Sequence, residues 1–192
     1  VVTLGELLEN LKTKPKKWVI GGGSAVGGWD HLKVLMAAKE YGISNVRKIK
    51  YVSFDGGGDA VTQLLAGNVQ IFTGDVSEIK GFVDAGDIKI IAVLSPARLP
   101  GDFSKFYTAK EQGVNVVGAN WRGFYVPKGM SDDAYNFWAG AIKKMYDTPQ
   151  WKKTMAKNGL APLDLSGKAF EGFVANSVAS IQTISKQIGI IK

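Results

Sequence analysis

The chain has 192 residues, 45% of them apolar and 21% charged, and carries a formal charge of +7 from 24 Lys+Arg against 17 Asp+Glu. These proportions suit a globular chain of one sizeable domain or two small lobes. Cysteine is absent and histidine occurs once, which excludes disulfides, a cysteine nucleophile and zinc sites built from Cys and His.

The first element follows Thr3-x-x-Glu6, a capping box that predicts a helix to about Thr13. The basic run Lys12-Thr13-Lys14-Pro15-Lys16-Lys17 comes after it, where cations complement a helix dipole. The other lysines are scattered rather than clustered with aromatics, so no nucleic-acid partner is expected. Lys17–Gly21 reads as a strand and Asp30–Tyr41 as a helix stopped by Gly42.

Between that strand and helix lies GGGSAVGGWDH, residues 21–31. A P-loop would need Lys and Ser/Thr where Trp29 and Asp30 stand, and the dinucleotide fingerprint fails at Val26. Gly22-Gly23-Ser24-Ala25-Val26 approaches the nucleophile elbow G-x-S-x-G but ends on Val26. Its one possible base, His31, lies on the very next helix, so a serine hydrolase using Ser24 is a poor reading. A carboxylate held by backbone N–H groups at the helix start fits better, since the first turn of a helix offers free donors and partial positive charge. The plain structural alternative makes Asp30 the N-cap and Gly28 a turn residue.

Val46–Phe54 alternates and reads as a strand. Asp55-Gly56-Gly57-Gly58-Asp59 then opens a helix over Ala60–Leu65, stopped by Gly67. Val69–Thr73 reads as a short strand, Val76–Asp84 as a helix ended by Gly86, and Ile88–Leu94 as the most apolar strand. Alternating strands and helices predict a mostly parallel α/β sheet. Its two glycine turns then leave at one edge and converge on one anion.

Beyond Val114–Val117, the segment ANWRGFYVPKG (119–129) looks extended, and the character of the chain changes. Ser131 caps a helix with Ala134, Phe137, Trp138, Ala141, Ile142 and Met145 on one stripe, and another helix begins near Pro149. An extended piece, Ala161–Leu165, leads to a last helix striped by Phe170, Phe173, Val174, Val178, Ile181 and Ile188. Both stripes are expected to be core, although they are apolar enough to suggest a surface awaiting a partner. No apolar run approaches the ~20 residues of a membrane span, so the chain is not expected to be membrane-embedded.

GGGSAVGGWDHL, GGGDAVTQLLAGNVQ, the run A-x-L-S-P-x-R-L-P at 92–100 and Asn120-Trp121-Arg122-Gly123 resemble, in order, the substrate-binding proteins of tripartite tricarboxylate transporters, the TctC/Bug family. The resemblance covers essentially the whole chain. It implies a periplasmic-binding-protein-like (type II) two-lobed α/β architecture, with residues 3–121 as a complete second lobe and 122–192 as a crossover and part of the first lobe. The family's N-terminal P-G-G loop has no counterpart here, so the chain is expected to start where the family enters its second lobe. The resemblance also implies a periplasmic receptor without catalytic residues or cofactor, which captures a small carboxylate for membrane transporter subunits. Its site would comprise Gly22, Gly23, Ser24, Gly27, Gly28, Asp30 and His31 from the first turn and Gly56, Gly57 and Gly58 from the second. Asp75 would contact ligand or water, and Arg122 would pair a carboxylate or bridge the lobes. Trp29 departs from the family pattern and is expected to narrow the pocket or stack on an unusual substrate, and Val26 departs from it too. A ligand-sensing lobe of a regulatory protein is the alternative from another class.

Overall fold

The computed structural model describes residues 2–191. Helix α1 (Leu4–Thr13) starts where the capping box places it: Thr3 Oγ1 accepts from the Glu6 N–H at 3.1 Å, and the Glu6 carboxylate accepts from the Val2 N–H at 2.8 Å. Its Leu4, Leu7, Leu8 and Leu11 recur at helical spacing and are all buried.

Strand β1 (Val19–Gly22) lies between β2 (Lys50–Ser53) and β3 (Ile71–Thr73), parallel to both. Gly22 is level with Ser53 on one side and Thr73 on the other, so all three strands end at the same edge. Helices α2 (Trp29–Glu40), α3 (Gly57–Leu65) and α4 (Val76–Ala85) each begin just beyond that edge. Gly86 ends α4 with φ at +84°, a left-handed conformation in which a side chain would be strained. The core joins Leu8 and Leu11 of α1, Ile20 of β1, Leu32 and Leu35 of α2 and Ile188 from the far end of the chain.

Four expectations are corrected. Val46–Lys48 forms a tight 3-10 turn, and the strand begins only at Lys50. Alternation there reflects Val46 and Ile49 dipping into the core from a turn. Ile88–Leu94 forms no strand: Val93 makes a single parallel bridge to Thr108, and the Gln112 amide donates to the Ile91 carbonyl at 2.9 Å in place of a neighbouring backbone. Gly28, not Asp30, is the N-cap of α2.

The fourth concerns the stripes. Ser131 does cap α5 (Asp132–Asp147), with Thr148 capping α6 (Pro149–Lys157), and α7 spans Gly167–Ile188. Yet α5 buries no residue, and Phe137 and Trp138 are 68% and 53% exposed. Helix α5 packs chiefly on α6, while α7 meets α2 near its C-terminal end, where Ser185 and Ile188 are buried. Trp121 packs edge-to-face on Phe170 and Phe173 at the start of α7, while Val178 and Ile181 of α7 and Met145 of α5 stay exposed. The segment 119–129 belongs to no helix or strand and carries the exposed rings of Phe124 and Tyr125.

Candidate functional site

The two glycine turns meet. A Cβ on Gly23 would stand 2.6 Å from the carbonyl carbon of Gly56 and from the amide nitrogen of Gly57, so only a residue without a side chain fits there. Gly56 has φ at +98° and is the N-cap of α3, which therefore starts without a side chain to satisfy its first N–H groups. At this junction lies a cavity of about 160 Å³. It is lined by Gly23, Asp30, Gly56, Gly57, Asp75 and Arg122, together with Glu78 and Asn120. A wider groove of about 280 Å³ sits at the opposite end of α2, beside Lys39 and Arg47, away from the glycine turns.

The polar groups of the cavity are tied to one another. Lys33, buried on the first turns of α2, places Nζ 2.9 Å from Asp30 Oδ1. Arg122 donates through Nη2 to Asp75 Oδ2, and the Asn120 amide donates to both oxygens of Asp75 at 3.2 and 3.0 Å. Glu78 is the third residue of α4 and closes a capping box: its Oε2 accepts from the Asp75 N–H at 2.9 Å. Arg122 thus forms an ion pair with Asp75, with the guanidinium side chain still 64% exposed.

The rest of the first turn is structural. Ser24 Oγ accepts from the Asp30 N–H at 3.0 Å, capping the start of α2 from a distance, and the Tyr51 hydroxyl donates to the Ser24 carbonyl at 2.7 Å. Gly27, with φ at +86°, donates its N–H to Nδ1 of His31 at 3.0 Å. His31 is buried and stacked on Tyr51 with ring centres 4.6 Å apart, and burial lowers its pKa from the ordinary 6.5. A neutral ring is what the Gly27 contact needs, because Nδ1 must accept. Gly28 donates to the Ala25 carbonyl at 2.7 Å, and Gly22 lies within the sheet against Tyr51, Thr73 and Asp30. Gly58 has open space around it on the first turn of α3.

Six of the twelve residues read from the sequence therefore line one cavity: Gly23, Asp30, Gly56, Gly57, Asp75 and Arg122. Gly22, Ser24, Gly27, Gly28 and His31 brace the turn behind it. Trp29, expected to narrow the pocket, packs against the hydrophobic core instead, and Val26 points outward at 66% exposure. Sequence reading missed Glu78 and Asn120. Asp75-x-x-Glu78 carried a signal, being itself a capping-box pattern, whereas Asn120 reaches Asp75 only through the tertiary fold.

Comparison with known proteins adds the following. A model of the "Tripartite tricarboxylate transporter family receptor" matches residues 1–190. A UPF0065 protein from the gbd 5' region of Cupriavidus necator is 22% identical over 192 residues, which is all of this chain and 57% of its own length. Among solved structures, an R. palustris protein with adipate superposes with a TM-score of 0.87 at 21% identity, and BugD, a periplasmic binding protein, with 0.84 at 20%. Each match covers 98% of this chain and 62% of the other. MatC from Rhodopseudomonas palustris, with bound malate, gives 0.69 at 17% identity over 97% of this chain and 60% of its own. The α/β fold is thus that of periplasmic binding proteins, and the chain spans a little over half the length of the curated relative.

Proposed function

Because the chain belongs to the tripartite tricarboxylate transporter receptor family, we propose that it captures a small organic carboxylate, dicarboxylate- or tricarboxylate-like, and delivers it to the membrane subunits of such a transporter. The observation that carries this reading is the contact of Gly23 with Gly56 and Gly57 beside a helix start whose N-cap, Gly56, has no side chain. A carboxylate seated there would complete the first turn of α3 and meet its positive end, with no lysine required. Arg122 binds Asp75 through one nitrogen, and its remaining N–H groups are the donors it offers to a second carboxylate. That adipate and malate occupy proteins of the same fold supports the choice of ligand class.

In this reading residues 3–121 form one lobe and 122–192 lead across to another, with the protein acting in the periplasm. It is a receptor rather than an enzyme. Ser24 engages its oxygen in capping α2, and His31 accepts from Gly27 instead of facing a serine.

Titration calorimetry against mono-, di- and tricarboxylates, each paired with its uncharged amide, tests the reading. We expect at least one acid to bind where its amide does not. Equal binding of acid and amide would overturn the carboxylate site.

A further inference from the structure

We propose that the edge at which the strands begin, opposite the glycine turns, docks on an anionic phospholipid surface. This goes beyond the receptor reading and does not depend on it.

Strands β1 and β2 run parallel with Val19 level with Lys50, so the segments leading into them enter from one edge. The first segment brings Lys12, Lys14, Lys16 and Lys17. The second brings Arg47 and Lys48, and Lys50 opens the strand itself. Helix α2 returns to the same edge and ends there: the Lys12 ammonium lies 5.9 Å over the ring of Tyr41, its C-cap. Lys39, in the last turn of α2, shares with Arg47 the groove of about 280 Å³. All these cationic side chains are exposed, and none is ion-paired among the described residues. Glu9, which accepts from the Tyr41 hydroxyl, and Glu40 offset only part of the charge. Parallel pairing thus gathers at one edge cations that lie apart in the sequence.

The other edge has the opposite character. Asp30, Asp75 and Glu78 line its cavity, and Asp55 and Asp59 are exposed beside it. An anionic surface therefore attracts one edge and repels the other, and the docked chain turns its cavity away from that surface, open for loading. The composition of the patch favours lipid over protein. Apart from Arg47 it is made of lysine, which is depleted at protein–protein interfaces. Lysines spread along an edge act as separate point charges, each drawn to anionic headgroups without matched geometry. The groove beside Arg47 adds a recess where one headgroup phosphate can meet a guanidinium fork.

Cosedimentation with vesicles tests this, with phosphatidylglycerol and phosphatidylcholine in roughly equal parts set against phosphatidylcholine alone. The chain should bind the mixed vesicles at ~0.01 M salt and ignore the neutral ones. It should leave the mixed vesicles at about 1 M, where screening acts within about 3 Å. Combining Lys16→Gln, Lys17→Gln and Lys48→Gln should weaken partitioning about a hundredfold, since one lysine near such a surface is worth about fivefold. Combining Lys152→Gln, Lys153→Gln and Lys157→Gln on α6 removes the same charge elsewhere and should cost less than about fivefold. Every substituted side chain is exposed, so both variants should keep the thermal midpoint. Absence of binding to the mixed vesicles would overturn the proposal, as would equal binding to neutral ones through the exposed rings of α5. Equal losses in the two variants would reduce it to net charge and overturn it too, as would no loss in the first. Tighter binding of soluble polyglutamate than of the mixed vesicles would assign the edge to an acidic protein instead.

Discussion

A methyl group on Gly23 would stand 2.6 Å from the amide nitrogen of Gly57, so the turns after β1 and β2 touch backbone to backbone. Backbone cannot yield as a flexible side chain can. Gly23→Ala should push the second turn away and cost about 1–3 kcal/mol of stability, as overpacking does. Carboxylate binding should fall with it, because the opposing donors no longer share one cavity. Urea unfolding and titration calorimetry on the same preparation check both effects; an unperturbed midpoint would mean that the turns part freely.

His31 gives a pH dependence of known sign. Burial holds its folded-state pKa below the ordinary 6.5, so the unfolded chain binds the proton more tightly. Stability is then whole above pH 6.5 and is lost as the pH falls through the folded-state value. Protonation also puts a hydrogen on Nδ1, where the Gly27 N–H donates. Because His31 is the only histidine, a single NMR imidazole titration reports it, and thermal midpoints from pH 7 down to about 5 should decline more in the native chain than in His31→Gln. Parallel declines would remove His31 from the account.

Arg122→Ala separates binding from folding. The guanidinium side chain is 64% exposed, and an exposed ion pair contributes about 0–1 kcal/mol, so unfolding should hardly change. Ligand affinity should drop by about tenfold or more if its free N–H groups hold a carboxylate, and Arg122→Lys should recover little, because the planar fork is gone. Unchanged affinity in both variants would confine Arg122 to holding Asp75.

Ser24→Ala removes the oxygen that accepts from the Asp30 N–H. Loss of a cap of this kind costs about 1 kcal/mol. We expect that loss in chemical denaturation and no ester hydrolysis by the native chain above that of the variant. Turnover abolished by the substitution would revive the nucleophile.

Exposed rings on α5 make the last prediction. Phe137 and Trp138 stand in edge-to-face contact with each other, 5.5 Å between centres, and largely in solvent. A dye that fluoresces on apolar surface should bind the isolated chain, and Phe137→Lys with Trp138→Lys should reduce that signal while leaving the thermal midpoint within about 0.5 kcal/mol equivalent. A large loss of stability would show the rings to be packed.

Much of the sheet edge was legible because its signals are local. Glycine runs, a capping pair at Thr3 and Glu6, and stops at Gly42, Gly67 and Gly86 each act within one turn of chain. The parallel pairing that brings Gly23 to Gly57 follows from strand–helix alternation. Ile88–Leu94 misled because apolar character says nothing about pairing: its backbone pairs only around Val93 and Leu94, and the Ile91 carbonyl is met by the Gln112 side chain. The stripes of α5 and α7 misled in another way: periodicity marks a face fit for burial, not what covers it. Asn120 was hidden because its contact with Asp75 joins segments far apart in sequence.

One property of the core bears on how the protein is made. Leu4, Leu8 and Leu11 share a single cluster with Ile188, and Ile190 packs on it and stands against Gly27. Helix α1 thus waits for residues near 188 before its apolar side is shut off from water. Contacts so distant along the chain are the slow ones to form, since loop closure precedes any gain from burial. A nascent chain stalled before residue 188 presents α1, α2 and the glycine edge with their leucines open, a species suited to capture by a holding chaperone and unable to complete its core until that residue has emerged.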